Sequence, residues 1–263
     1  MLDIILLAVV QGLTEFLPVS SSGHLVLLQS LIGGHEGDLF LNVVLHAGTL
    51  GSVLVVYRRE VGRLLRLDGA ARAYVLSLVI GTLPAVAVGL LLKDAVEKAF
   101  AAPIYASVGL LVTGVVLLST RATREVAAPL EPWTPRPVAP WKALVIGCAQ
   151  AVAICPGISR SGSTIAASLW LGLPRPEAAR FSFLLSVPAI AGALVLQLID
   201  GDLSTRTGPV GLALAALVAF LVGLLAIRWT ALAVVQRHFW KFAFYVIPLG
   251  LVVLVVLARS SQG

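Results

Sequence analysis

The sequence predicts an all-α polytopic membrane protein with six transmembrane helices plus two re-entrant helix–loop–helix hairpins, arranged as an inverted-topology repeat. Three observations predict it. The 263 residues are 59% hydrophobic and 12% charged, and a soluble domain of this length needs far more polar surface. Six apolar stretches approach the roughly 20 residues of helix that cross a bilayer. Two other apolar regions are cut by polar, Pro- and Gly-bearing breaks into arms too short to span.

In chain order, the first hairpin occupies 1–29 and is broken by Pro18-Val19-Ser20-Ser21-Ser22-Gly23-His24. A helix is expected to resume at Leu25. Spans follow near 39–57, 73–92 and 103–120, completing a first repeat over 1–120. A linker at 121–140, Pro-rich over 129–140, separates it from the second repeat over 141–258. That repeat opens with a hairpin at 141–172, broken by Pro156-Gly157-Ile158-Ser159-Arg160-Ser161-Gly162-Ser163-Thr164, with a helix resuming at Ile165. Spans near 179–199, 208–227 and 241–258 complete a single membrane domain. Irregular polar backbone survives at membrane depth only when buried in protein or lining a watery cavity. The breaks are therefore expected to line a site.

The formal charge of +6 and isoelectric point near 9.8 do not indicate nucleic acid. The basic residues sit in short connections, where positive-inside charge belongs. Threading six spans and two non-crossing hairpins puts fourteen basic and five acidic residues on one side, a balance of +9. The other side receives four basic and seven acidic residues, a balance of −3. This places both termini outside and the linker in the cytoplasm. Met1-Leu2-Asp3 lacks a basic n-region and no small-residue cleavage site follows, so no removable signal peptide is expected. Cys148 and Cys155 have no metal spacing and are expected to be small packing residues.

A shift of 139 residues lays Gln11 on Gln150, Ser20 on Ser159, Ser22 on Ser161 and Gly23 on Gly162. Each half then has one hairpin and three spans. An odd number of crossings inverts the second half relative to the first, a design in which broken helices meet near the midplane to form binding sites.

Gln11 and Glu15 stand four apart on one helical face. A carboxylate in an apolar arm is costly if unpaired, so Glu15 needs a partner from elsewhere, Arg160 or His24. The serine loops precede helices, whose first N–H groups and positive dipole end face whatever the loops hold. With the guanidinium fork of Arg160 they make an anion site suited to phosphate. The plainer alternative for Arg160 is a buried ion pair with Glu15. His24, beside Ser21 and Glu15, is read as catalytic; His46 as structural; His35 and His238 as loop or interface residues. No cluster has metal-ligand spacing, so no tightly bound metal or other cofactor is expected.

Together, QGLTEFLPVSSSGH at 11–24 and PGISRSGST at 156–164 resemble the signature segments of the undecaprenyl-diphosphate phosphatase (bacitracin-resistance) family. Length, span count and duplicated hairpins extend the resemblance over nearly the whole chain. It implies hydrolysis of undecaprenyl diphosphate to the monophosphate carrier and inorganic phosphate, recycling the carrier for peptidoglycan synthesis. It further implies residence in the bacterial cytoplasmic (inner) membrane, a site open to the periplasmic face, and bacitracin resistance on overproduction. The family's acidic motif, Glu or Gln followed four residues later by Glu, matches Gln11 and Glu15. Its serine and histidine match Ser21 and His24, and its basic motif matches Ser159, Arg160, Ser161 and Thr164. The expected catalytic set is Ser21, His24, Glu15 and Arg160. Gln11, Ser20, Ser22, Gly23, Gly157, Ser159, Ser161, Gly162 and Thr164 are expected to bind substrate. Ser21 attacks phosphorus with His24 or Glu15 as base; attack by His24 or by water is the alternative. A loosely held Mg²⁺ or Ca²⁺ on the diphosphate and a homodimer stay open. The runner-up reading is an inverted-repeat transporter or flippase of a polyprenyl phosphate lipid.

Overall fold

In the computed structural model, residues 1–32, 38–127, 133–200 and 205–260 are described. Residues 33–37 (with His35 and Glu36), 128–132 (with part of the Pro-rich linker and Glu131), 201–204 (with Asp202) and 261–263 lie outside the described residues. Among the described residues all regular structure is helical.

Two short helices open the chain, α1 (Leu2–Phe16) and α2 (Ser21–Ile32). Leu17 precedes Pro18, which disfavours helical backbone there. It is extended at φ −62°, ψ 145°, and α1 stops. Next come α3 (Leu39–Val56), the short α4 (Arg58–Leu64), α5 (Gly69–Leu91), α6 (Lys93–Ala101) and α7 (Pro103–Ser119). Asp38 and Asp68 cap α3 and α5, accepting from the Leu41 and Ala71 amides at 2.9 Å, and Pro103 starts α7 where its missing N–H costs nothing. The second half repeats the order with a short pair, α8 (Pro140–Val152) and α9 (Arg160–Trp170), followed by α10 (Arg175–Asp200), α11 (Pro209–Val235) and α12 (Ala243–Ser260).

Six helices are long and apolar enough to cross a membrane, with mean hydropathy from 1.8 to 2.8: α3, α5, α7, α10, α11 and α12. Only 17 to 44% of the residues in their most apolar windows are buried, so most of these side chains point outward. That surface is tolerable against lipid and not against water. The helices α1, α2, α8 and α9, at 15, 12, 13 and 11 residues, are each shorter than a bilayer crossing.

The boundaries differ from the sequence reading in physically simple ways. α11 runs on through Arg228 and Trp229 to Val235, because a charge ends an apolar stretch without ending a helix. α10 starts at Arg175. The connection expected at 58–72 contains α4, and α6 fills most of the next one. Both polar breaks are shorter than expected: α2 restarts at Ser21 instead of Leu25, and α9 at Arg160 instead of Ile165. Cys148 and Cys155 are free and exposed, so they are not the packing residues expected.

The short pairs are gripped by spans from the other half. α1 lies along α11 and α8 along α5. At the second crossing a Cβ on Gly147 would sit 2.5 Å from the Gly81 carbonyl oxygen, so only glycine permits that backbone approach. The aromatic core lies beside the elbows: Phe16, at the end of α1, meets Phe183 edge-on at 6.0 Å. Thr230 on α11 donates to the Phe16 carbonyl at 3.1 Å, satisfying an orphan group at the α1 terminus.

Candidate active site

The two elbows are built alike. Ser20 caps α2, its Oγ accepting from the Gly23 amide at 3.3 Å, and Ser159 caps α9, accepting from Gly162 at 3.1 Å. In each, a second serine hydroxyl, of Ser22 or Ser161, lies 3.2 Å from the capping one. They also touch. Ser161 donates to the Leu17 carbonyl at 3.2 Å, and a Cβ on Gly23 would lie 3.1 Å from Gly157 Cα. Thr113 on α7 serves the second elbow twice, donating to the Gly157 carbonyl and accepting from the Ser159 amide, both at 2.9 Å.

Glu15 joins the elbows chemically. Its Oε2 accepts from Ser21 Oγ at 2.7 Å and from Gln11 Nε2 at 3.2 Å; its Oε1 accepts from Arg160 Nη2 at 2.8 Å. His46 Nε2 stands 3.9 Å from Oε2. Glu15 is buried, and the charge that makes this tolerable comes from 145 residues away. Arg160 is not fully used: its Nη1 is buried with no partner among the described residues. A buried donor normally has an acceptor, so Nη1 marks the place for an anionic oxygen.

These groups close one end of a cavity of about 730 Å³. Thr14, Glu15, Ser20, Ser21, Ser22, His46, Ser159 and Arg160 form its polar end. Away from it the walls turn apolar, with Ala85, Val86 and Leu90 of α5, Phe100 of α6, and Ile190, Val195 and Leu196 of α10. A cavity with an anion clamp at one end and an alkyl-lined trough at the other fits an amphiphile.

Of the residues expected to be catalytic, Ser21, Glu15 and Arg160 are brought together and His24 is not. The ring of His24 is held by the Ser20 carbonyl at Nδ1 and by the Tyr245 hydroxyl at Nε2, each at 2.8 Å. It stacks on Tyr245 at 5.6 Å. Since a carbonyl only accepts, Nδ1 carries a proton, and in the neutral ring Nε2 then accepts from Tyr245. Of the expected substrate-binding residues, Ser20, Ser22 and Ser159 line the cavity. Gln11, Gly23, Gly157, Ser161, Gly162 and Thr164 do not, and their contacts show why. Gln11 orients Glu15. Gly157, at φ +85°, packs against the Ala106 carbonyl. Thr164 lies 2.6 Å from the Ser182 hydroxyl. Gly23 and Gly162 supply the capped amides, and Ser161 ties one loop to the other. Among the described residues no three His, Cys, Asp or Glu side chains gather as a metal cluster.

The sequence reading missed His46, Tyr245 and Thr113. For His46 a signal existed, because an ionisable residue in a membrane span is a functional candidate by default. Tyr245 and Thr113 gave none, being a hydroxyl near a span end and one threonine among several.

The model of the family described as bacitracin resistance protein BacA matches residues 4–252. An undecaprenyl-diphosphatase of Rhodopirellula baltica is 42% identical over 98% of this chain and 99% of its own length. Proteins of the same name from Desulfatibacillum aliphaticivorans and Korarchaeum cryptofilum are 41% and 39% identical, over 97% and 96% of this chain and 98% of each relative. With the match running through both elbows, five whole spans and the first part of the sixth, the chain belongs to the bacitracin resistance protein BacA family.

Proposed function

We propose that this chain is a membrane phosphatase that hydrolyses undecaprenyl diphosphate to undecaprenyl phosphate and inorganic phosphate, recycling the carrier for cell-wall synthesis and conferring bacitracin resistance. The observation that carries the reading is the bridge made by Glu15, one oxygen on Ser21 and the other on Arg160, with Arg160 Nη1 left over. A nucleophile, its base and an unfilled phosphate clamp face one cavity whose far walls suit a polyprenyl tail.

The terminal phosphoryl group sits against Arg160 Nη1 and the first amides of α2 and α9, which favour the charge developing on its oxygens. Ser21 Oγ forms a bond to phosphorus while the bond to the bridging oxygen breaks, and Glu15 takes the hydroxyl proton. Glu15 passes that proton to the departing lipid phosphate. Water then attacks phosphoserine, with Glu15 as base, releasing inorganic phosphate and reprotonating Ser21. Supporting Glu15 over His24 as base is the 2.7 Å bond to Ser21, set against a histidine committed to Ser20 and Tyr245. A divalent cation arriving on the diphosphate would meet a single carboxylate with both oxygens engaged, so the diphosphate itself would be its main ligand.

The reading places the protein in the bacterial cytoplasmic membrane, with both termini outside and the two short helix pairs re-entrant. Reciprocal packing of α1 on α11 and α8 on α5 supports an inverted repeat. The apolar trough runs towards the C-terminal ends of α5 and α10. Charge sorting assigns those ends to the side with balance −3, so the cavity opens outward. The test is phosphate release from undecaprenyl diphosphate by the purified protein in detergent, where no second compartment exists. Stoichiometric release supports hydrolysis. Binding without release supports the transporter reading and overturns this one.

A further inference from the structure

Where α7 and α11 end and α10 and α12 begin, a second cavity of about 250 Å³ is lined by Thr120, Arg121, Arg175, Arg237, Phe239 and Trp240. It shares no lining residue with the first cavity. Arg175 opens α10, and Pro188, the first α10 residue on the wall of the first cavity, lies thirteen positions on; at 1.5 Å per residue they are about 20 Å apart.

Three arginines converge here with little to neutralise them. Arg175 is only 6% exposed. Its Nη2 donates to Thr123 Oγ1 at 3.1 Å, its Nη1 reaches the Val234 carbonyl at the long distance of 3.4 Å, and its Nε has no partner among the described residues. Arg121 lies over the Trp240 ring at 5.0 Å, so its position is set by an aromatic face and not by a carboxylate. Arg237 is held at φ 61°, a left-handed conformation unfavourable for a side-chain-bearing residue. Its ion pair with Glu125, at 3.4 Å, joins two exposed side chains. Glu125 is thus the one carboxylate partner of the three arginines among the described residues. A nearly buried guanidinium with an orphan donor, inside a pocket of like charge, lacks an anion.

We propose that this pocket binds a phosphate oxyanion, at a site separate from the catalytic cavity. Guanidinium forks match phosphate geometry, and three of them can address several oxygens of one group. Phe239 and Trp240 beside the arginines form the amphipathic surface found where a span meets headgroups. Two bearers share this chemistry, an anionic glycerophospholipid headgroup and free phosphate.

The test uses the purified full chain in detergent with two probes, dioleoylphosphatidylglycerol and sodium phosphate. Dioleoylphosphatidylcholine is the zwitterionic control. Native mass spectrometry reads lipid retention and calorimetry reads phosphate. The comparison sets wild type against the double variant Arg121→Gln/Arg237→Gln, both exposed positions, and against Arg160→Gln, which strikes only the catalytic clamp. The expected result is one phosphatidylglycerol retained per chain in preference to phosphatidylcholine. Its affinity falls about tenfold or more in the double variant, the loss expected for removed charge-assisted hydrogen bonds, and is unchanged in Arg160→Gln. Phosphate that binds and displaces the lipid identifies the phosphate group alone as the determinant; lipid that binds undisturbed by phosphate identifies the headgroup. The proposal is overturned if neither probe binds, or if the double variant, with unfolding temperature and hydrolysis intact, binds both as wild type does.

Discussion

The two elbows have one architecture and two occupations. Ser20 and Ser159 cap their helices in the same way, and each elbow places a residue of the proposed site at the first helical position, Ser21 on α2 and Arg160 on α9. Under the 139-residue shift these two coincide, so the nucleophile proposed in one half is the anion clamp proposed in the other. The bend is made differently in each. The second elbow uses glycine at φ +85° and keeps its capping Ser159 relaxed at φ −73°. The first has Pro18 where the second has Gly157, and puts the capping residue Ser20 itself at φ 70°. Strain in a non-glycine residue, costing about 1–3 kcal/mol, persists only where the surroundings enforce it. Here it sits beside the proposed nucleophile. Two elbows with the same cap thus differ in strain, the strained one carrying the proposed nucleophile and the relaxed one the proposed clamp.

The comparison can be broken at several levels. Arg160→Ala and Glu15→Gln strike the bridge between the elbows, and each is expected to lower kcat by about 10³-fold or more in a phosphate-release assay. An Arg160→Ala enzyme with near-normal turnover would separate the elbows functionally. Gly157→Ala attacks the scaffold instead. A Cβ there overlaps the Ala106 carbonyl at a positive φ, and a loss of about 2–4 kcal/mol, read as a lowered thermal midpoint, is expected.

His24 tests the reading of the first elbow. As a residue that positions Ser20 through its carbonyl, its loss in His24→Ala is expected to cost about tenfold in kcat. Tyr245→Phe, which removes only the distal hydrogen bond, is expected to cost less. A general base would instead be worth about 10²–10⁴-fold, and His24→Ala in that range with Tyr245→Phe silent would restore it to that role. The smallest effect discriminates the bends. Ser159→Gly is expected to cost a few tenths of a kcal/mol for the lost cap. Ser20→Gly also relieves the positive φ and is expected to be neutral or stabilising by about 1 kcal/mol, with lower activity.

Much of this was legible in the residues because membranes make polarity expensive. Glu15 and Arg160 stand out in apolar arms and had to find each other. The spans and the duplicated serine breaks follow from composition and spacing. What stayed hidden is long-range or geometric. Tyr245 meets His24 across 221 positions, and nothing local in either predicts it. The sequence places the helix restarts at Leu25 and Ile165, later than Ser21 and Arg160, because polar first turns look like loop while capping lets them be helix. His46 reads as structural from its apolar stretch, although an ionisable side chain in a membrane span is by default a functional candidate.

The most direct measurement is acid-quench trapping with undecaprenyl diphosphate labelled in its terminal phosphate, followed by mapping of the modified residue. Phosphate on Ser21, absent in Ser21→Ala and accumulating in a variant slow to hydrolyse it, is the expected result. Label on His24, or full turnover by Ser21→Ala, would contradict the assignment of Ser21 as the attacking group and Glu15 as its base.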